Sequence, residues 1–304
     1  MESIVAIVGF LGAGKTTLLK HLTMSYSKAG WNPFIILNDY ENAFVDLQQF
    51  SGQIEPQWIR ALNGSCVCCS GINELREFVN CIPARDQGIT LIEANGTSDA
   101  CALMGFLGVG IAERFLPPVQ LSVVDVKNWQ LRGEHNELEA NQVQVSSLIV
   151  LTHMDEASED RCEEVINQVN KLNPTAKILS LNELDISLLP QLMPSHNEAQ
   201  KLDHKKAHWA SCSSDLPDLP DKECVEDICN ALPNSILRVK GCCKIAQQYI
   251  NFERCPDGTV YIKPSTSKPL TGPKLLTVGP GSKPELLKSV ITTSLEKAKF
   301  RTVK

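Results

Sequence analysis

Between residues 3 and 181, short apolar runs alternate with longer amphipathic or polar stretches. The runs at 3–8, 34–37, 89–92, 121–125, 147–151 and 177–181 are rich in Ile, Leu and Val, and each reads as a buried strand. Stretches 17–22, 72–79 and 162–172 carry helical spacing. Strands alternating with helices predict an α/β fold, a mostly parallel sheet with helices on both faces. From Pro194 to Pro220 the pattern breaks into polar sequence, and 194–207 reads as a linker. Beyond it a helix at 224–232, strands at 237–240, 245–252, 260–262 and 274–278, and a final helix at 285–299 predict a smaller α+β domain. The expected division is therefore 1–193, a linker at 194–207, and 208–304.

The 304 residues carry a net charge of -6, which argues against a general nucleic-acid binder or a basic membrane surface. No apolar run approaches the ~18–20 residues of a membrane span. Met1-Glu2-Ser3 leads straight into an apolar run without a basic leader, so a cytoplasmic protein is expected. Twelve cysteines in a reducing compartment are not a disulfide framework. Most are expected to be small buried side chains, and tight clusters become candidates for metal or thiol chemistry.

The sharpest motif is Gly9-Phe10-Leu11-Gly12-Ala13-Gly14-Lys15-Thr16-Thr17, which fits G-x-x-x-x-G-K-[ST] between a predicted strand and a predicted helix. Glycines allow backbone N–H groups to turn around phosphate oxygens, and a helix N-terminus adds positive potential. Lys15 can reach the outer phosphates and Thr16 can place its hydroxyl on Mg²⁺. Gly9, Gly12, Ala13, Gly14, Lys15, Thr16 and Thr17 are thus the expected phosphate site. Glu93, at the end of a predicted strand, suits a role in the Mg²⁺ shell and in orienting water. Gly96, three residues on, can bring its backbone close to the terminal phosphate.

Thr152-His153-Met154-Asp155 follows the penultimate strand of the nucleotide domain. A carboxylate at Asp155 can accept two hydrogen bonds from guanine that adenine cannot offer, and Thr152 can make one more. Cys66-Val67-Cys68-Cys69 places three thiols within four residues, enough to converge on one soft metal ion such as Zn²⁺, with a fourth ligand from elsewhere. Asp39 and Glu41 follow the second strand; they suit Mg²⁺ binding, water positioning, completion of the thiolate site, or solvation alone. His204 and His208 read as part of a polar linker. Cys212, Cys224, Cys229, Cys242, Cys243 and Cys255 read as structural thiols.

Together these residues resemble the CobW-like GTPases, relatives of the nickel-insertion GTPases HypB and UreG. The resemblance is carried by residues 9–19, by Asn63-Gly64-Ser65-Cys66-Val67-Cys68-Cys69, and by Ile92-Glu93-Ala94-Asn95-Gly96-Thr97-Ser98-Asp99. Segments 172–176 and 232–241 support it. It implies a GTP-dependent metallochaperone that holds zinc, or another transition metal such as Co²⁺ or Ni²⁺, at Cys66, Cys68 and Cys69. GTP and a client metalloprotein are the implied partners, with homodimerisation left open. By position it implies that Gly12, Gly14, Lys15, Thr16 and Thr17 hold phosphates and Mg²⁺, that Glu93 serves Mg²⁺ and water, and that Asp155 reads guanine. Asp39 stands where the family has its first acid in Asn-Glu-Phe-Gly-Glu, and Asn42 replaces the second. Thr152 and His153 replace the Asn and Lys of the usual guanine motif. No catalytic Gln or Arg stands out, so slow intrinsic hydrolysis is expected.

Overall fold

The computed structural model describes residues 1–37, 50, 54–62, 72–195, 197, 211–236, 238–255, 258–265, 272–279 and 282–302. The described chain forms two compact units, one up to residue 197 and one from residue 211. Of the predicted linker, only Pro194, Ser195 and Asn197 are described.

The first unit is an α/β layer built on β1 (Ser3–Val8), β2 (Asn32–Leu37), β3 (Ile59–Ala61), β4 (Gly88–Glu93), β5 (Val119–Asp125), β6 (Leu148–Thr152) and β7 (Lys177–Ser180). They form a parallel sheet in the order β3-β2-β4-β1-β5-β6-β7. All six residues of β1 and of β4 are buried, as a strand covered on both faces requires. Alternation along β1 sends Ile4, Ala6 and Val8 into one apolar cluster with Leu75 and Val79 of α2 (Ile72–Cys81) and Leu103 and Leu107 of α3 (Ala100–Leu107). On the other side of the sheet order, Val124, Ile149 and Leu151 pack with Val143 of α4 (Asn136–Gln144) and with Val165 and Val169 of α5 (Glu159–Leu172). Chain order runs from β4 on one side of β1 to β5 on the other. The carboxyl ends of β1, β4 and β5 therefore flank the switch point where ligands gather in open α/β sheets.

In the second unit, β8 (Ser211–Asp215), β9 (Arg238–Ile245), β10 (Gln248–Arg254), β11 (Val260–Pro264) and β12 (Lys274–Val278) make an antiparallel sheet in the order β11-β10-β9-β12-β8. Helices α6 (Lys222–Ala231) and α7 (Pro284–Thr302) bury Cys224, Val225, Ile228, Leu287, Val290 and Ile291 in its core. Asp221 caps the start of α6, accepting from Cys224 N at 2.7 Å. The buried Arg254 guanidinium closes its far end, donating to the carbonyls of Cys229 (2.7 Å) and Leu232 (2.8 Å).

The structure departs from the sequence pattern at several places. Residues 245–252 are not one strand: Ile245 ends β9, Ala246 turns with φ 53°, and Gln248 starts β10. Strands β3 and β8 and helices α3 and α4 are additional to the pattern reading.

Candidate functional site

The loop between β1 and α1 (Lys15–Lys28) turns on left-handed glycines, with φ 82° at Gly12 and 92° at Gly14. Gly9 is fixed by contact as well: a Cβ there would lie 2.4 Å from the Val123 carbonyl oxygen of β5. Gly14 caps α1, and the first intrahelical bond runs from Leu18 N to the Gly14 carbonyl. The amides of Lys15, Thr16 and Thr17 thus precede the hydrogen-bonded ladder, and no acid sits in that first turn. An uncompensated helix N-terminus of this kind suits an anion.

Lys15 is buried and curls back over the loop, its Nζ donating to the carbonyls of Gly9 (2.9 Å) and Phe10 (3.1 Å). Thr16 Oγ1 donates to Glu93 Oε1 at 2.7 Å, which joins the start of α1 to the end of β4. A hydroxyl and a carboxylate side by side next to a phosphate loop form a hard-oxygen donor pair suited to Mg²⁺. Gly96 packs against the loop: a Cβ on it would lie 2.6 Å from Leu11 Cδ2 and 2.8 Å from Leu11 N.

At the end of β6, the Thr152 hydroxyl donates to the Ala13 carbonyl at 2.8 Å and stands 3.1 Å from the Val124 carbonyl. It ties the phosphate loop to two strands. His153 adopts φ 54°, and its Nδ1 lies 3.2 Å from Glu156 Oε1. Lys127, just past β5, reaches the same carboxylate at 3.1 Å. These two partners, His153 first, hold the Glu156 carboxyl below its ordinary range. Asp155 is exposed on the short turn between them. Asp39, Glu41, Cys66, Cys68, Cys69, His204 and His208 lie outside the described residues. Among the described residues no cluster of three or more His, Cys, Asp or Glu side chains could hold a metal ion.

A polar group beneath the loop carried no motif in the sequence. Asp125, at the end of β5, accepts from Arg132 Nη2 at 3.0 Å, and Glu139 of α4 lies 3.8 Å from Arg132 Nε. The Arg132 guanidinium stacks over the Phe10 ring at 4.9 Å. Glu139 Oε2 also accepts from Gln130 N at 2.8 Å. Burial pushes the Glu139 carboxyl up to about 7 despite Arg132.

The nucleotide-binding domain of the CobW/HypB/UreG family matches residues 3–180. The chain belongs to this family. Among curated family relatives it is 28% identical over 194 residues to the zinc chaperone YjiA of Escherichia coli, covering 61% of this chain and 59% of that one. It is 24% identical over 209 residues to a zinc-regulated GTPase metalloprotein activator of Dictyostelium discoideum, covering 56% of this chain and 44% of that one. The match thus spans about half the length of these relatives. The zinc-bound crystal structure of the Escherichia coli YjiA GTPase aligns over 96% of this chain and 98% of its own, at 16% identity and a TM-score of 0.44. The family match ends at residue 180, just where the parallel sheet closes at β7.

In the second unit, Cys212, Cys224, Cys229, Cys242 and Cys243 are buried and Cys255 is half-buried. Burial raises Cys224 and Cys242 to about 11 and Cys229 and Cys243 to about 12. Cys212, Cys224, Cys229 and Cys243 pack as small side chains in the apolar core of this unit. Among the described residues no helix is long and apolar enough to cross a membrane.

Proposed function

We propose that this protein binds and slowly hydrolyses GTP and couples that cycle to handing a transition metal ion, zinc first, to a client metalloprotein. Residues 1–193 would form the GTPase domain and 208–304 a second domain. The observation that supports the reading is the Thr16–Glu93 contact of 2.7 Å beside the glycine loop, because a hydroxyl and a carboxylate there offer two oxygen donors of the kind a phosphate-bound cation takes.

Lys15 would exchange its bonds to Gly9 and Phe10 for phosphate oxygens. The amides of Ala13 to Thr17 would line the phosphates. Mg²⁺, held by Thr16 and Glu93, would neutralise charge on the transferred phosphoryl group. Glu93 would orient the attacking water, with Asp39 as a second acid. Asp155 would select guanine, while Thr152 holds the loop that carries the phosphates. Cys66, Cys68 and Cys69 would hold the cargo metal as thiolates. The cysteine motif lies between Asp39 and Glu93 in sequence, so loops ordered by the terminal phosphate flank it on both sides. The zinc-related relatives named above support zinc as the first candidate.

Comparative binding of GTP and ATP tests this directly. GTP should bind more tightly, and Lys15→Ala should weaken it by about 10–100-fold, as expected for losing charge-assisted phosphate bonds worth ~1.5–3 kcal/mol. Asp155→Asn should weaken GTP while sparing ATP. Equal affinity for both nucleotides, unaffected by Asp155→Asn, would contradict the guanine assignment.

A further inference from the structure

The loop after β4 is held from two sides. On one side Gly96 presses on Leu11 of the phosphate loop, with no room for a Cβ. On the other, Gln142 of α4 is fully buried and donates from Nε2 to the carbonyls of Gly96 (3.2 Å) and Ser98 (3.1 Å). The amide can present only its nitrogen there, since the flipped orientation would set oxygen against two carbonyl oxygens.

The helix supplying Gln142 is itself anchored. The Gln142 carbonyl accepts from Gln120 Nε2 (2.7 Å) and Ser122 Oγ (2.8 Å) of β5. Asn173 Nδ2 donates to the carbonyls of Val143 (2.9 Å) and Ser146 (2.8 Å) at the end of α4. The same helix carries Glu139, whose partner Arg132 covers Phe10. Helix α4 therefore meets the loop that follows Glu93 directly through Gln142, and the phosphate loop indirectly through Arg132. Gln142 Oε1 is buried and accepts no hydrogen bond among the described residues. An unfilled buried acceptor costs ~1–3 kcal/mol, which offsets much of what the two donated bonds contribute.

We propose that Gln142 is a positioning residue that lets the protein distinguish GTP from GDP, by holding Gly96 against the phosphate loop where the terminal phosphate is sensed. This rests on the GTP-binding reading above. GDP lacks the phosphate that Gly96 would meet, so the side chain should matter for GTP alone.

The test uses the full chain with Gln142→Leu, which keeps the size, and Gln142→Glu, which replaces two donors by a carboxylate. Affinities for GDP and for a non-hydrolysable GTP analogue are measured beside single-turnover GTP hydrolysis and the melting temperature. Both variants should keep GDP affinity within about twofold, while affinity for the GTP analogue and the hydrolysis rate each fall about tenfold, the effect of losing a bond worth ~1.4 kcal/mol. Gln142→Met keeps the side-chain length without the donor and should show the same selective loss, which keeps the test decisive if Gln142→Leu does not fold. Equal weakening of GDP and GTP analogue would mean a structural role only and would overturn the proposal, as would no change in either. A wild-type chain with no guanine-nucleotide affinity would overturn the function proposed above, and this proposal with it.

Discussion

The two ends of the parallel sheet each bury a cluster of charged side chains, and the clusters are built on opposite balances. At the amino end, Glu2 alone faces two arginines. Its Oε2 takes Arg85 Nη2 at 2.5 Å and Nε at 2.9 Å, and its Oε1 takes Arg114 Nη1 at 3.1 Å. Arg85 uses its remaining donors on the Asn32 carbonyl (3.1 Å) and Thr90 Oγ1 (2.9 Å), so this cluster clips the starts of β2 and β4 to the residue before β1. At the carboxyl end, one arginine, Arg132, faces two acids, and Glu139 is held at 3.8 Å rather than in a tight pair. In the amino-end cluster both Glu2 oxygens are paired with arginine. The carboxyl-end cluster has a surplus of negative charge that protonation can relieve, and it lies against Phe10 of the phosphate loop. The sheet is locked at one end and adjustable at the end where the candidate site lies.

Removing the lock should have the largest effect on stability. Glu2→Ala strands the buried Arg85 side chain and unpairs the half-buried Arg114, and urea unfolding should show a loss of about 3 kcal/mol, as for breaking a buried pair from one side. If the variant lost less than about 1 kcal/mol, the amino-end cluster would not be the lock described here.

The adjustable end should respond to pH. Glu139 titrates at about 7 in the folded chain against an ordinary 4.5. Because the folded pKa is the higher one, the folded state binds the proton more tightly. That stabilising contribution is complete below about pH 4.5 and is lost as pH rises through about 7. Arg132 and Asp125 are the charged groups around it. Glu139→Gln cannot titrate, so between pH 5.5 and 8 the wild-type protein should lose stability relative to the variant, by up to ~2 kcal/mol. Parallel profiles for the two proteins in thermal melts would remove the distinction between the two ends.

The framework of the first unit was readable because its buried strands are unbroken apolar runs and its phosphate loop needs glycines at fixed places. What escaped was polar. Helix α4 reads Asn-Glu-Leu-Glu-Ala-Asn-Gln-Val-Gln, and its buried face includes Glu139, Asn141 and Gln142 beside Leu138 and Val143. A hydrophobic pattern cannot reveal a helix that buries hydrogen-bonding groups. That same helix supplies the residues that brace the candidate site. Helix α3 is missed for the opposite reason: Ala-Cys-Ala-Leu-Met-Gly-Phe-Leu is apolar throughout and shows no period. β3 is three residues at a sheet edge, and β8 reads Ser-Cys-Ser-Ser-Asp, so neither carries a strand-like apolar run. The β9–β10 turn uses Ala246 in a left-handed conformation where glycine or asparagine would have signalled it. At the site itself, Thr16 and Glu93 were nominated separately by position, and the fold brings them together.

The coupling of nucleotide to metal is tested most directly by the rate of GTP hydrolysis with and without Zn²⁺, in the wild-type protein and in the triple variant Cys66→Ser, Cys68→Ser, Cys69→Ser. Wild-type turnover should change with Zn²⁺ by several-fold, on the scale of a ~1–3 kcal/mol coupling between linked sites, and the triple variant should hydrolyse GTP at one rate regardless of zinc. A triple variant that keeps the full zinc response would contradict the account.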